Sequence, residues 1–241
     1  MMKVALFVPC FVDQLMPQVA MDTVRVLRRI GCEVEFPENQ TCCGQPAFNT
    51  GQWDSARPCA ERFARVFAPY EYIVSPSGSC TSMVRTHHPD LLENHPARQQ
   101  AIEVGRHVYE FSEFLVRIAK VGDVGAAFPH SVTYHSACHA NRELGVADDA
   151  RVLLKNVRDI ELREMKAADE CCGFGGAFSV KFGMISAAMG DTKCGYIEAT
   201  GSEYVTAVDP SCLMHIDGVM RKTNRAPRTI HLASILAQEA R

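Results

Sequence analysis

The sequence predicts an α/β protein made of two pseudo-repeated halves, each holding a small, mainly parallel sheet flanked by helices. Three observations predict it. The runs TCCGQPAFNTG from Thr41 and ECCGFGGAFSV from Glu170 share Cys-Cys-Gly followed by Ala-Phe. Cysteines outside those runs fall into the same register: Cys10 matches Cys138, Cys42 and Cys43 match Cys171 and Cys172, and Cys80 matches Cys212, always about 130 residues apart. Strand–helix–strand order recurs around both sets, which calls for parallel pairing in each half.

In the first half, the short apolar run VALFV before Cys10 reads as a buried strand. Residues 17–30 read as a helix and residues 33–36 as a second strand. YIVSPSGSC, ending at Cys80, reads as a strand, a proline-containing turn and the start of a helix. The second half repeats this with SVTYHSA before Cys138, a helix over 148–157, a strand over 159–163, and YVTAVDPSC ending at Cys212. Gly122, Gly125 and Pro129 cluster at the junction, so the domains are expected at residues 1–125 and 126–241, with a short connection that leaves them packed together. In open α/β sheets ligands gather at the carboxyl ends of strands, where all these cysteines fall. Arg25, Arg28 and Arg29 read as the exposed face of a helix, and His87-His88-Pro89-Asp90 as a solvated turn.

A chain of 241 residues with 47% hydrophobic and 22% charged residues has the composition of a folded soluble protein. Its net charge of −3 points to no nucleic-acid or anionic-membrane partner. The longest apolar run, residues 4–12, falls short of the ~20 residues a membrane span needs. It runs into Pro9 and Cys10 without a cleavage-type sequence, so the expected compartment is the cytoplasm. There, eleven cysteines, an odd number, argue for metal ligation or redox chemistry over a disulfide framework.

Each half offers four matching thiols: Cys10, Cys42, Cys43 and Cys80, then Cys138, Cys171, Cys172 and Cys212. Such a set suits an iron–sulfur cluster or a structural zinc. Adjacent cysteines reach one centre more easily where the backbone turns or the centre is large. Gly44 and Gly173 permit the turn, and the size argument favours a cluster over zinc without excluding it. Cys80 and Cys212 sit at expected helix starts, where a thiolate is stabilised. Cys32, Cys59 and Cys194 have no repeat partner and read as packing residues. His135, His139 and His215 flank the motifs as hydrogen-bond donors to sulfur, as ligands, or as a base for the hydroxyl proton of a 2-hydroxy acid. The alternative is that they are ordinary loop histidines; for a functional role His139, next to Cys138, is the first choice, and His135 and His139 are the candidates for catalysis. GFGGAF from Gly173 lacks phosphate-loop spacing, and its glycines suit close backbone approach to a cluster.

The double pattern Cys10…Cys42-Cys43-Gly44…Cys80 and Cys138…Cys171-Cys172-Gly173…Cys212 resembles the cysteine-rich CCG domain family. That family includes the cysteine-rich subunit of heterodisulfide reductase, the iron–sulfur subunits of glycolate oxidase and of anaerobic glycerol-3-phosphate dehydrogenase, and lactate-utilisation proteins. The likeness covers nearly the whole chain. FPENQTCCGQPAFNTG, SPSGSC, LLKNVRDIEL and CCGFGGAFSVK carry it towards the lactate-utilisation members, which consist of two such domains alone. It implies an iron–sulfur electron-transfer subunit of a multi-subunit oxidoreductase. That system would oxidise L-lactate to pyruvate with a ferredoxin-like iron–sulfur subunit and a third lactate-utilisation protein. In heterodisulfide reductase each motif ends in Cys-x-x-Cys and its five thiols hold fused clusters; here Ser77 and Asp209 stand where the first of that last pair would be. Each site therefore keeps four thiols and at most one oxygen. A [4Fe–4S]-type centre stays compatible with that set, disulfide-cleaving chemistry is put in question, and zinc in one site of a non-redox assembly subunit is the alternative.

Overall fold

The computed structural model describes residues 1–239. Strands β1 (Lys3–Leu6), β2 (Glu33–Glu35), β3 (Ile73–Ser75) and β4 (Val108–Glu110) form a sheet in the order β2-β1-β3-β4. Strands β5 (Ser131–Tyr134), β6 (Glu161–Leu162), β7 (Tyr204–Ala207) and β8 (Arg228–His231) form a second in the order β6-β5-β7-β8. Every pairing is parallel. Ala5 faces both Glu35 and Ile73, and Val132 faces both Leu162 and Tyr204, so β1 and β5 hold matching central places. Helices flank the sheets, and β3 and β5 are buried along their whole length.

The α/β architecture of two repeated halves is the one expected. The helix expected over 17–30 is Pro17–Arg29, entered by a proline whose fixed φ suits a first helical turn. The helix expected over 148–157 is Ala147–Lys155. The fourth strands, β4 and β8, and the long helices Trp53–Phe67 and Gly183–Glu198 add to the expected elements.

The halves exchange closing elements. After β4, helix Phe111–Glu113 runs into a π-helical turn, Phe114–Ile118, and both pack on Ala147–Lys155 of the second half. After β8, helix Leu232–Leu236 packs on Pro17–Arg29 of the first half. A core shared by both halves follows, in which Leu6, Leu27 and Phe114 join Tyr134, Leu154 and Leu236, while Phe7, Phe63 and Phe67 belong to a second cluster within the first half. Arg29 ties the exchange. Its guanidinium donates to the carbonyls of Leu236 (2.8 Å), Ala237 (2.7 Å) and Val124 (3.2 Å). Arg29 is thus a half-buried helix-end clamp and not part of an exposed basic face. The turn expected at 87–90 is also different: His88–Leu91 is helical and His88 is buried.

Candidate metal centre

In each sheet the strand order reverses between the first and third strands, and the crevice lies at their carboxyl ends. Cys10 and Cys138 open helices Cys10–Leu15 and Cys138–Arg142, just beyond β1 and β5. Cys80 and Cys212 are third residues of helices Gly78–Ser82 and Pro210–Lys222, just beyond β3 and β7. The halves meet at these helix ends: Gly78–Ser82 packs on Cys138–Arg142, and Cys10–Leu15 on Pro210–Lys222. A Cβ on Gly78 would lie 2.8 Å from Ala140 Cβ, so the first crossing needs glycine. Between the halves opens one cleft with about 780 Å³ of free space, part of it open to solvent. Every repeat cysteine except Cys42 lines it, and Cys42 Sγ lies 3.6 Å from Cys10 Sγ.

The cysteine pairs are shaped by the glycines after them. Gly44 has φ +85° and Gly173 φ +92°, in the left-handed region. The turn aims the Gly44 N–H at Cys42 Sγ and the Gly173 N–H at Cys171 Sγ, both at 3.4 Å. A side chain at Gly173 would also collide, since its Cβ would lie 2.7 Å from Ser186 O. In both pairs the first thiol is the acidic one. Cys42 is held below the usual thiol range by hydrogen bonds from Cys10 and Cys43, and Cys171 by those from Cys138 and Cys172.

Ser77 and Asp209, expected to contact a cofactor, both line the cleft, and both cap helices. Ser77 Oγ accepts from the Cys80 N–H at 3.4 Å. Asp209 Oδ1 accepts from the Ser211 N–H at 3.2 Å, and Oδ2 from the Ser79 N–H of the other half at 2.7 Å. One carboxylate thereby fixes two facing helix ends.

His139 lies on the cleft wall, with Nδ1 3.6 Å from Cys138 Sγ and Nε2 3.5 Å from the Gln45 amide nitrogen. His135 does not line the cleft; it is fully buried, and burial holds its imidazole down to about pKa 4. Its ring, Cys172 Sγ and Cys212 Sγ have ligand atoms all within 4.8 Å of one another. His215 Nε2 lies 3.3 Å from Ser186 O. His88, read from the sequence only as part of a solvated turn, makes a 2.8 Å hydrogen bond from Nε2 to the Cys43 carbonyl. Cys32 and Cys194 are buried and Cys59 half-buried, none on the cleft. The donor set is soft and suits a thiophilic metal or an iron–sulfur cluster, not magnesium or calcium.

The cysteine-rich domain model named CCG matches this chain twice, over residues 4–85 and 132–217. The chain belongs to the CCG cysteine-rich domain family. Each matched segment of this CCG chain contains one complete cysteine quartet. It is 42% identical over 236 residues to Lactate utilization protein A of Geobacillus kaustophilus, covering 98% of both chains. It is 43% identical to Lactate utilization protein A of Bacillus pumilus, covering 98% of this chain and 99% of that one. Among solved structures, a hypothetical protein from Helicobacter pylori superposes over 97% of this chain with a TM-score of 0.58 and 12% identity. The CCG chain spans 48% of that protein, and the likeness is one of fold. Among the described residues no helix is long and apolar enough to cross a membrane.

Proposed function

We propose that this chain is an iron–sulfur electron-transfer subunit of a cytoplasmic, multi-protein system that oxidises L-lactate to pyruvate. The observation that carries the reading is the single cleft onto which both cysteine quartets open. Cys10, Cys42, Cys43 and Cys80 would hold one [4Fe–4S]-type cluster and Cys138, Cys171, Cys172 and Cys212 another. Such clusters supply reversible one-electron storage.

The chain's own residues do the rest. The Gly44 and Gly173 N–H groups stabilise the Cys42 and Cys171 thiolates. Ser77 and Asp209 fix the helix ends that carry Cys80 and Cys212. Phe11 and Phe174, from opposite halves, meet edge-to-face at 5.5 Å and wall the cleft against water. The relatives' name supports lactate as the substrate of the system, and the letter in it supports a set of proteins. We assign the other places to a ferredoxin-like iron–sulfur subunit and a third lactate-utilisation protein. Val180 and Met184, 85% and 90% exposed just beyond the glycine-rich segment, favour a docked partner there. A disulfide-cleaving reading of the heterodisulfide reductase type has less support, because Ser77 and Asp209 spend their oxygens on backbone N–H groups.

The test is anaerobic purification. Clusters give a brown protein whose broad visible absorption bleaches on reduction, with iron and sulfide lost in stages as either quartet is mutated. A colourless zinc protein overturns the redox reading in favour of a zinc-stabilised assembly subunit.

A further inference from the structure

The repeat lets the two centres be compared position by position, and behind the cysteines they differ. The glycines set the register. A Cβ on Gly44 would meet Ala56 O and Cys59 Cβ, and one on Gly173 would meet Ser186 O and Met189 Cβ. Helices Trp53–Phe67 and Gly183–Glu198 therefore superpose with Ala56 on Ser186 and, seven residues on, Phe63 on Lys193. Three residues before the first cysteine of each half, Phe7 corresponds to His135.

In the first half Phe7 and Phe63 pack edge-to-face at 4.9 Å, an ordinary apolar contact. In the second half the same two places hold His135 and Lys193, 0% and 1% exposed. Burying both in place of two phenyl rings costs stability unless each is partnered. Lys193 is: Nζ donates to Ala167 O at 2.7 Å and Ala168 O at 3.4 Å. His135 is not. Both its ring nitrogens are buried without a hydrogen-bond partner among the described residues. The Ala168 carbonyl beside it already accepts from the Ser136 N–H at 3.0 Å and from Lys193. What remains in reach is sulfur, in the group with Cys172 and Cys212.

We propose that His135 supplies a nitrogen ligand to the metal centre of the second half, so that the two centres of the chain are chemically unequal. At the matching place of the first centre stands Phe7, and the nearby His88 imidazole spends Nε2 on the Cys43 carbonyl, so among the described residues only the second quartet has a histidine grouped with its thiols. The inference rests on the metal-centre reading above. Added to four thiolates, a neutral imidazole leaves the ligand charge of the two centres equal, whereas the Lys193 ammonium, standing where the first half has Phe63, adds positive charge behind the loop that carries Cys171 and Cys172. Charge and ligand type set the potential of such centres. The second centre is accordingly the one reduced first, and electrons entering the chain collect there.

The experiment uses the anaerobically purified, reduced full chain with 15N-labelled histidine, read by pulsed electron paramagnetic resonance. The expected result is a strongly coupled histidine nitrogen in the native protein. It is lost in His135→Cys, which keeps a ligand and therefore the metal content, and retained in His139→Ala. His135→Phe, which restores the residue type of the first half, should lose the coupling as well. A loaded native protein without that coupling, or a coupling that survives in His135→Cys, overturns the inference. Iron-free, zinc-loaded protein would defeat the cluster reading alone. Zinc-edge absorption then decides this one, by a nitrogen at roughly 2.0–2.1 Å that His135→Cys removes or, if the inference is wrong, does not.

Discussion

Individual cysteines carry different burdens. Cys171 and Cys172 both line the cleft, and the three cysteines outside the repeat do not. Replacing either with serine should unload the second centre and leave the first, so iron per chain should fall by about half. Unchanged iron and sulfide in both variants would remove these residues from the ligand set. Such single positions were readable because the repeat printed them twice. His88 and Lys193 were not, because their importance comes from contacts between residues far apart in sequence. His88 meets the Cys43 carbonyl from inside a helix, and Lys193 meets Ala167 and Ala168 across a loop. Nothing in the words HHPD or GDTKCG announces either contact.

At the scale of elements, capping is where the two halves depend on each other. Asp209→Ala removes a cap from its own helix and a charged acceptor from the Ser79 N–H of the facing one. The expected cost is about 2 kcal/mol or more, against roughly 1 for Ser77→Ala, measured by denaturant unfolding. Equal costs would deny the bridge. Glu110 caps Phe111–Glu113 from a fully buried place, and burial pushes its carboxyl up to about 8 from an ordinary value of 4.5. The folded chain binds this proton more tightly than the unfolded one. Its contribution to stability is thus fully present below about pH 4.5 and is lost as pH rises through about 8. Glu110→Gln cannot ionise and keeps an acceptor for the cap, so the fall in melting temperature between pH 5 and pH 8 should shrink in this variant. An unchanged slope would place the titration elsewhere. The first strands were legible, one as the apolar run VALFV before Cys10 and the other as a strand-like segment at the matching place before Cys138, whereas β4 and β8 were not. β4 is three residues long, and β8 reads Arg-Thr-Ile-His, so neither offers a period to recognise.

The molecule as a whole should behave as a carrier and not as a complete enzyme. The sequence holds no recognisable dinucleotide fingerprint, and oxidising a 2-hydroxy acid removes two electrons at once. The purified chain alone should give no lactate-dependent reduction of a dye, and the reconstituted three-protein mixture should. Robust turnover by the single chain would move the chemistry to His139 on the cleft wall.

The exchanged closing helices have a consequence of another kind. Each half offers a receiving helix, Pro17–Arg29 or Ala147–Lys155, and each offers the closing segment that packs on the other's. A lone half carrying both would be self-complementary, and two identical copies would close one another about a two-fold axis, as isologous dimers do. The present chain has the shape of such a dimer written in tandem. Tandem joining frees the two copies to diverge, because a substitution in one no longer has to suit both. Phe7 with Phe63 on one side and His135 with Lys193 on the other are a difference that no symmetric pair of identical subunits could hold.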